Sequence, residues 1–120
     1  MSSRTDELRI AVVFRADLDM PRGKSEVQFG HAMTMLIAKY DLVNFVEYFD
    51  SDHMKLSMEV DGLSDIEDIA FKAEKRAVPF AIVTDAGRTV FAEPTITCIG
   101  IGPMNKTDCN ALTRNARMRT

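Results

Sequence analysis

Apolar and polar positions change period several times along this chain, and each change predicts an element. Arg9 to Arg15 reads Arg-Ile-Ala-Val-Val-Phe-Arg, five apolar residues between two arginines, the pattern of a strand covered on both faces. Asp17 to Gly23 carries Asp, Pro and Gly, a loop composition. From Lys24 to about Tyr40 there is no proline and one interior glycine, which predicts a long helix. Val43 to Phe49 is apolar without a decisive period and reads as helix continuation or irregular structure. Lys55 to Val60 alternates as a half-buried strand does, and Asp61-Gly62 ends it with turn chemistry. Ser64-x-x-Glu67 has the form of a capping box, and Ile66, Ile69, Ala70, Ala73 and Ala77 follow at helical spacing, predicting a helix near Asp65 to Arg76. Val78 to Thr84 reads as a third strand with Pro79 near its start. Thr95 to Ile101 reads as a fourth, stopped by Gly100, Gly102 and Pro103. Met20, Met33 and Met35 read as core.

The order strand, helix, strand, helix, strand favours parallel pairing with right-handed crossovers and helices against the sheet. The fourth strand follows a short connection and is expected to run antiparallel. Asn105 to Thr120 shows little apolar periodicity and is expected to be partly disordered. A length of 120 residues at 46% apolar predicts a single domain over residues 1–120, its core at about 9–103.

Composition narrows the function classes. No run approaches the roughly 18 apolar residues of a membrane span, and no basic-then-apolar leader is present, so no membrane partner is expected. Cys98 and Cys109 match no zinc or redox spacing. With eight methionines, they predict free thiols in a cytoplasmic protein, Cys98 serving as a small buried hydrophobe on a strand. The net charge of −3 argues against a uniform coat on nucleic acid, and no DNA partner is expected. The charge is unevenly spread. Asp41 to Glu74 holds ten acids and two bases, which leaves both ends of the chain positive.

In an open α/β sheet, ligands sit at the carboxyl ends of strands, so the segments after the first and third strands are the places to inspect. They are Arg15-Ala-Asp17-Leu-Asp-Met-Pro-Arg22-Gly23-Lys24 and Asp85-Ala-Gly87-Arg88-Thr89. Neither is a dinucleotide or Walker phosphate loop. Lys24, Gln28 and His31 fall within about 60° of arc on the predicted helix. An ammonium in the first turn opposes the dipole and would gain from an anion nearby. The plainer alternative, a solvated Lys24 and a surface Gln28, is open at this point. Gly87 allows a turn with positive φ that folds Asp85 and Thr89 back to one strand end. Arg88 could be their partner; equally, Asp85 could simply cap backbone amides with Arg88 paired to it.

These segments resemble the type 2 peptidyl-tRNA hydrolase family. The likeness rests on Arg15-x-Asp17-Leu18 with Met20-x-x-Gly23-Lys24, on Gln28-x-Gly30-His31-Ala32, on Asp85-Ala-Gly-Arg-Thr89 and on Gly100-Ile-Gly102-Pro103. Order and spacing agree from about Arg9 to Pro103. The resemblance implies a three-layer α/β/α sandwich with a mixed four-stranded sheet, a homodimer, no metal or organic cofactor, and hydrolysis of the ester joining peptide to the terminal ribose of tRNA. It implies a catalytic group of Lys24, His31, Asp85 and Thr89, with Arg15, Asp17, Arg22, Gln28 and Arg88 supporting or contacting substrate.

Ester hydrolysis needs a positioned water, a base, and donors aimed at the oxyanion. The expectation is that Asp85, directly or through His31, deprotonates water while Lys24 and the Thr89 hydroxyl stabilise the tetrahedral intermediate. A competing reading is a catalytically weakened relative that binds a small molecule or protein. Its support is Pro21 and Arg22 where the family has glycine and lysine, Phe29 in place of cysteine, Val90 in place of glutamine, and the acidic middle segment. A flavodoxin-like nucleotide carrier is a third.

Overall fold

The computed structural model describes residues 7–87 and 91–120. Its strands are β1 (Arg9–Arg15), β2 (Met54–Val60), β3 (Phe80–Asp85), β4 (Thr95–Met104) and β5 (Arg117–Met118). The helices are α1 (Arg22–Lys39), α2 (Val46–Phe49), α3 (Leu63–Lys75) and α4 (Lys106–Leu112), with 3-10 turns at Ala16–Leu18 and Leu42–Phe45. The strands form one mixed sheet in the order β3-β4-β1-β2-β5. β1 is parallel to β2, and β4 runs antiparallel to both β1 and β3. The sheet therefore has five strands where four were expected.

β1 is the axis of the fold because its apolar run serves both faces. Ile10 through Phe14 are all at most 1% exposed, and fully burying a large apolar side chain stabilises by about 1.5–3 kcal/mol. Ala11 and Val13 enter a cluster with Ile66, Ile69 and Ala73 of α3 and Leu112 of α4. Val12 and Phe14 pack with Ala32 of α1, and Ile10 with Leu36 of α1. Alternation along the strand thus sends neighbouring side chains into separate clusters. α1 lies chiefly over β3 and β4, and Gly100 lets it approach: a Cβ there would stand 3.0 Å from a Leu36 methyl and 3.3 Å from the Ala32 Cβ.

Four expectations change in detail. β4 does not stop at Gly102-Pro103 but continues to Met104. The register shift between Arg9 and Ala11 absorbs the irregularity, and the Gly102 amide donates to the Pro79 carbonyl at 2.8 Å. α3 starts earlier, and Ser64 and Glu67 do not cap it; the Asp65 carboxylate accepts the Gly62 amide at 3.2 Å instead. Ala77 lies past the helix, exposed, with φ +56°. The segment after Pro103 is ordered as α4 and β5. Asn105 caps α4 through the Asp108 amide, and Arg117 pairs with Glu59 and Asp61 to hold β5 on β2. Short polar elements of this kind leave no apolar period to read. Of the three methionines read as core, Met20 is buried and Met33 packs against the α1 cluster, but Met35 is exposed.

Cys98 and Cys109 are buried free thiols, and burial pushes the Cys98 thiol up to about 12, which keeps it protonated and inert. Among the described residues, no helix is long and apolar enough to cross a membrane, and no cluster of three or more His, Cys, Asp or Glu is arranged to hold a metal ion.

Candidate active site

The topology brings distant segments together. β1 and β3 point the same way with antiparallel β4 between them, so Arg15, Asp85 and the start of β4 share one end of the sheet. α1 begins there. Pro21 opens it, its carbonyl accepting the Ser25 amide at 3.1 Å; a proline suits a position where no amide donor is needed.

Lys24 in the first turn of α1 reaches the last residue of β3: its Nζ donates to Asp85 Oδ1 at 2.6 Å, and the two side chains are 13% and 9% exposed. One helical turn on, Gln28 is buried, its Nε2 at 3.5 Å from the same carboxylate oxygen. Thr97 of β4 donates its hydroxyl to Gln28 Oε1 at 2.7 Å, which turns the amide nitrogen toward Asp85. The other carboxylate oxygen, Oδ2, accepts the Gly87 amide at 2.9 Å. The Lys24 hydrogen bond, then the Gly87 amide, hold the Asp85 carboxyl below its ordinary 3.8 against the opposing effect of burial; the charges of Lys24 and His31 add to this. His31 follows on the same helix face but is exposed.

Lys24, Gln28 and Asp85 therefore converge, and the surface position weighed for Gln28 is replaced by a buried one. Gly87 has φ +79°, and Asp85 caps its amide. Arg88, Thr89 and Val90 lie outside the described residues. Arg15 and Asp17 form their own pair, through contacts of 3.1 and 2.8 Å, and Arg15 Nη1 also donates to the Ile96 carbonyl, tying β1 to β4. Asp17 is thereby held below its ordinary value, chiefly by the Arg15 hydrogen bond. Arg22 points to solvent, paired with Glu26, which is also exposed. Phe29 stacks on Phe14 with centroids 6.5 Å apart and joins the core cluster beneath α1.

Thr97 was missed from the sequence. Its one signal was a hydroxyl between Ile96 and Cys98 in an otherwise apolar strand, where a fully buried hydroxyl requires a partner.

Gly87→Ala tests how this carboxylate is held. A Cβ there would lie 2.5 Å from the Glu93 carbonyl carbon on a backbone already at positive φ, so the turn must open and withdraw the amide from Asp85. We expect a loss of roughly 1–3 kcal/mol in denaturant unfolding, with a shift of the Asp85 carboxyl resonance upward in pH. An unchanged titration would show that the amide does not matter.

A buried lysine–carboxylate pair with a backbone amide and an oriented side-chain amide around it is a polar cluster in a place where packing alone would not put one. Residues 8–118 match the family described as Peptidyl-tRNA hydrolase PTH2. A protein named peptidyl-tRNA hydrolase from Saccharolobus solfataricus strain P2 is 30% identical over 92% of this chain and 98% of its own length. One of the same name from Thermoplasma acidophilum is 34% identical over 79% of this chain and 84% of its own. A solved structure of a protein of unknown function from Agrobacterium tumefaciens strain C58 superposes with a TM-score of 0.65 at 12% identity, covering 95% of this chain and 98% of that one, a likeness of fold alone. With nearly the whole chain inside the family match and relatives of that identity spanning most of it, this chain belongs to the peptidyl-tRNA hydrolase PTH2 family.

Proposed function

We propose that this protein hydrolyses peptidyl-tRNA at the Lys24–Asp85 pair, releasing peptide and tRNA. Family membership supports the substrate, and the observation that carries the site is the 2.6 Å contact between Lys24 Nζ and Asp85 Oδ1 at the mouth of α1. In the resting protein the ammonium keeps Asp85 ionised and weakly basic. When the ester carbonyl enters, negative charge grows on its oxygen and Lys24 turns part of its hydrogen bonding toward it. Asp85 then loses its strongest stabiliser and becomes a better base at the moment the attacking water must give up its proton. The water oxygen bonds to the carbonyl carbon, the proton passes to Asp85, and collapse of the intermediate returns it to the departing ribose oxygen.

In this scheme Gln28 and Thr97 are positioning residues. His31 stands at the outer end of the helix face as a group for relaying the proton or meeting substrate. Thr89, as a second oxyanion donor, and Arg88, as a substrate contact, are assigned by resemblance. Arg22 is exposed for phosphate, whereas Arg15 and Asp17 are engaged with one another and support the strand end.

Further parts of the reading follow from the fold. The core clusters on the two faces of β1 support a three-layer α/β/α arrangement of one domain. Exposed Leu42, Val43 and Val46 support a homodimer, and buried free thiols support a reducing, cytoplasmic setting. Single-turnover cleavage of a defined peptidyl-tRNA tests the activity. Cleavage with tRNA affinity that falls as salt rises, by about 0.7–0.9 log units per phosphate contact per log unit of salt, is the expected result. Salt-dependent tRNA binding without cleavage would replace the enzyme by the binding-module reading, and neither would remove both.

A further inference from the structure

Beside the Lys24–Asp85 pair, on a neighbouring face of α1, lies a cleft that the proposed chemistry does not use. α1 lies chiefly over β3 and β4 and meets β1 at Phe14 through Ala32 and Phe29; next to it, Phe14 and Ser57 of β2 are also met by the segment that follows β5. The Arg119 amide donates to the Ser57 carbonyl at 3.0 Å, and its guanidinium lies over the Phe14 ring, 4.4 Å from the centroid. Arg119 borders three adjoining cavities of about 650, 280 and 130 Å³. Met20, Arg22, Ser25, Ser57, Arg119 and Thr120 line the first; its volume falls in the range of roughly 300–1,000 Å³ usual for small-ligand sites.

We propose that this cleft is a subsite for one unpaired nucleotide, with the base stacked on Arg119 and the phosphate on Arg22. Guanidinium planes are stacking platforms for splayed-out bases, and here the plane is presented ready-made on Phe14. The Arg117 ion pairs with Glu59 and Asp61 pin the adjoining strand, so the platform is fixed before a ligand arrives. Carboxylates border the smaller cavities: Asp19 and Glu59 line the third, where Arg117 holds Glu59, and Glu26 lines the second beside Arg119, whose charge it meets once Arg22 turns to a phosphate. None of the ion pairs among the described residues uses Arg119. The Arg22–Glu26 pair is largely in solvent, and such a pair is weak enough to yield Arg22 to a phosphate. Ser25 of the cleft immediately follows Lys24 in the chain, so a nucleotide held there lies on the element that carries the reacting group. The assignment to the RNA substrate, as opposed to a free nucleotide, rests on the proposed hydrolase reading.

The test titrates the full-length protein with adenosine 5′-monophosphate, a single-stranded RNA trinucleotide and inorganic phosphate, and measures steady-state peptidyl-tRNA cleavage in parallel. Both nucleotide ligands should bind more tightly than phosphate. Arg119→Gln, and Arg119→Lys, which keeps the charge but loses the plane, should each weaken them about tenfold and raise KM similarly with kcat retained. Ser57→Tyr, which leaves Arg119 in place but fills the cleft, should do the same and guards against a folding defect in either arginine variant. Phosphate binding as tightly as the nucleotide, or Arg119→Lys behaving as wild type, overturns the stacking site. Adenosine monophosphate binding through Arg119 with KM unmoved assigns the cleft to a free nucleotide and overturns the substrate role. Wild-type protein that binds nucleotide through Arg119 but cleaves nothing sinks the hydrolase reading and leaves the subsite standing.

Discussion

Asp85→Asn lowers single-turnover cleavage of peptidyl-tRNA about a hundredfold or more while tRNA affinity stays within a few-fold. The asparagine keeps the shape of the side chain and still offers an oxygen to the Gly87 amide, so the loop geometry is largely retained; what goes is the charge and the capacity to take a proton from water. Loss of one donor or base of this kind costs about 2.7–4 kcal/mol of transition-state stabilisation. The pH dependence of stability supplies an independent check. Asp85 is held below its ordinary 3.8 in the folded protein, so its contribution is complete above the unfolded value and is lost as pH falls through the lower, folded one. The stability gap between wild type and Asp85→Asn should therefore be constant from pH 5 to 8 and close only below about pH 3.8. Cleavage within a few-fold of wild type would reject Asp85 as the base, and a gap that closes near neutrality would show that the carboxylate is not held as the geometry implies.

Much of this site was legible because the chemistry depends on features that short-range patterns reveal. The apolar block at 10–14 identifies a strand buried on both faces, and strand-end logic then points at the segments beginning with Arg15 and Asp85. Helical spacing places Lys24 and Gln28 on one face, and Gly87 marks the turn that lets Asp85 cap an amide. Which way that face looks is another matter. Spacing fits a solvated lysine equally well, and only the insertion of β4 between β1 and β3 puts α1 over β3 and closes the 2.6 Å contact. That insertion is a long-range pairing with no local signature.

The same limit explains the departures. Thr97 has meaning only once Gln28 is known to lie over it. The fifth strand is two residues long and charged at Arg117; it is held by ion pairs to Glu59 and Asp61, far away in the chain. Periodicity registers apolar faces and passes over an element fastened by charge. Phe29, which the sequence sets against the family pattern, is absorbed by stacking on Phe14. That exchange leaves the Lys24 face of α1 untouched and puts an aromatic wall beside the Arg119 cleft.

Lys24→Met separates what this pair does for the fold from what it does for the reaction. The methionine fills a similar volume but leaves the Asp85 carboxylate, 9% exposed, with the Gly87 amide and a long contact to Gln28 among the described residues. Removing one partner of a fully buried ion pair destabilises by about 3–5 kcal/mol, mostly through the charge left behind. Because both side chains still touch solvent, the loss expected in denaturant unfolding is at the lower end, about 3 kcal/mol, and cleavage falls at least a hundredfold with the oxyanion donor gone. Adding Asp85→Asn removes the stranded charge, so the double variant should recover most of the lost stability and none of the activity. That outcome, more stable than Lys24→Met yet as inactive, follows if the stranded Asp85 charge, and not lost packing, causes most of the destabilisation, while the reaction needs both groups. A double variant no more stable than Lys24→Met alone would mean the two side chains do not share their charge in the folded protein, and the proposed hand-over of Lys24 from Asp85 to the ester oxygen would fall with it.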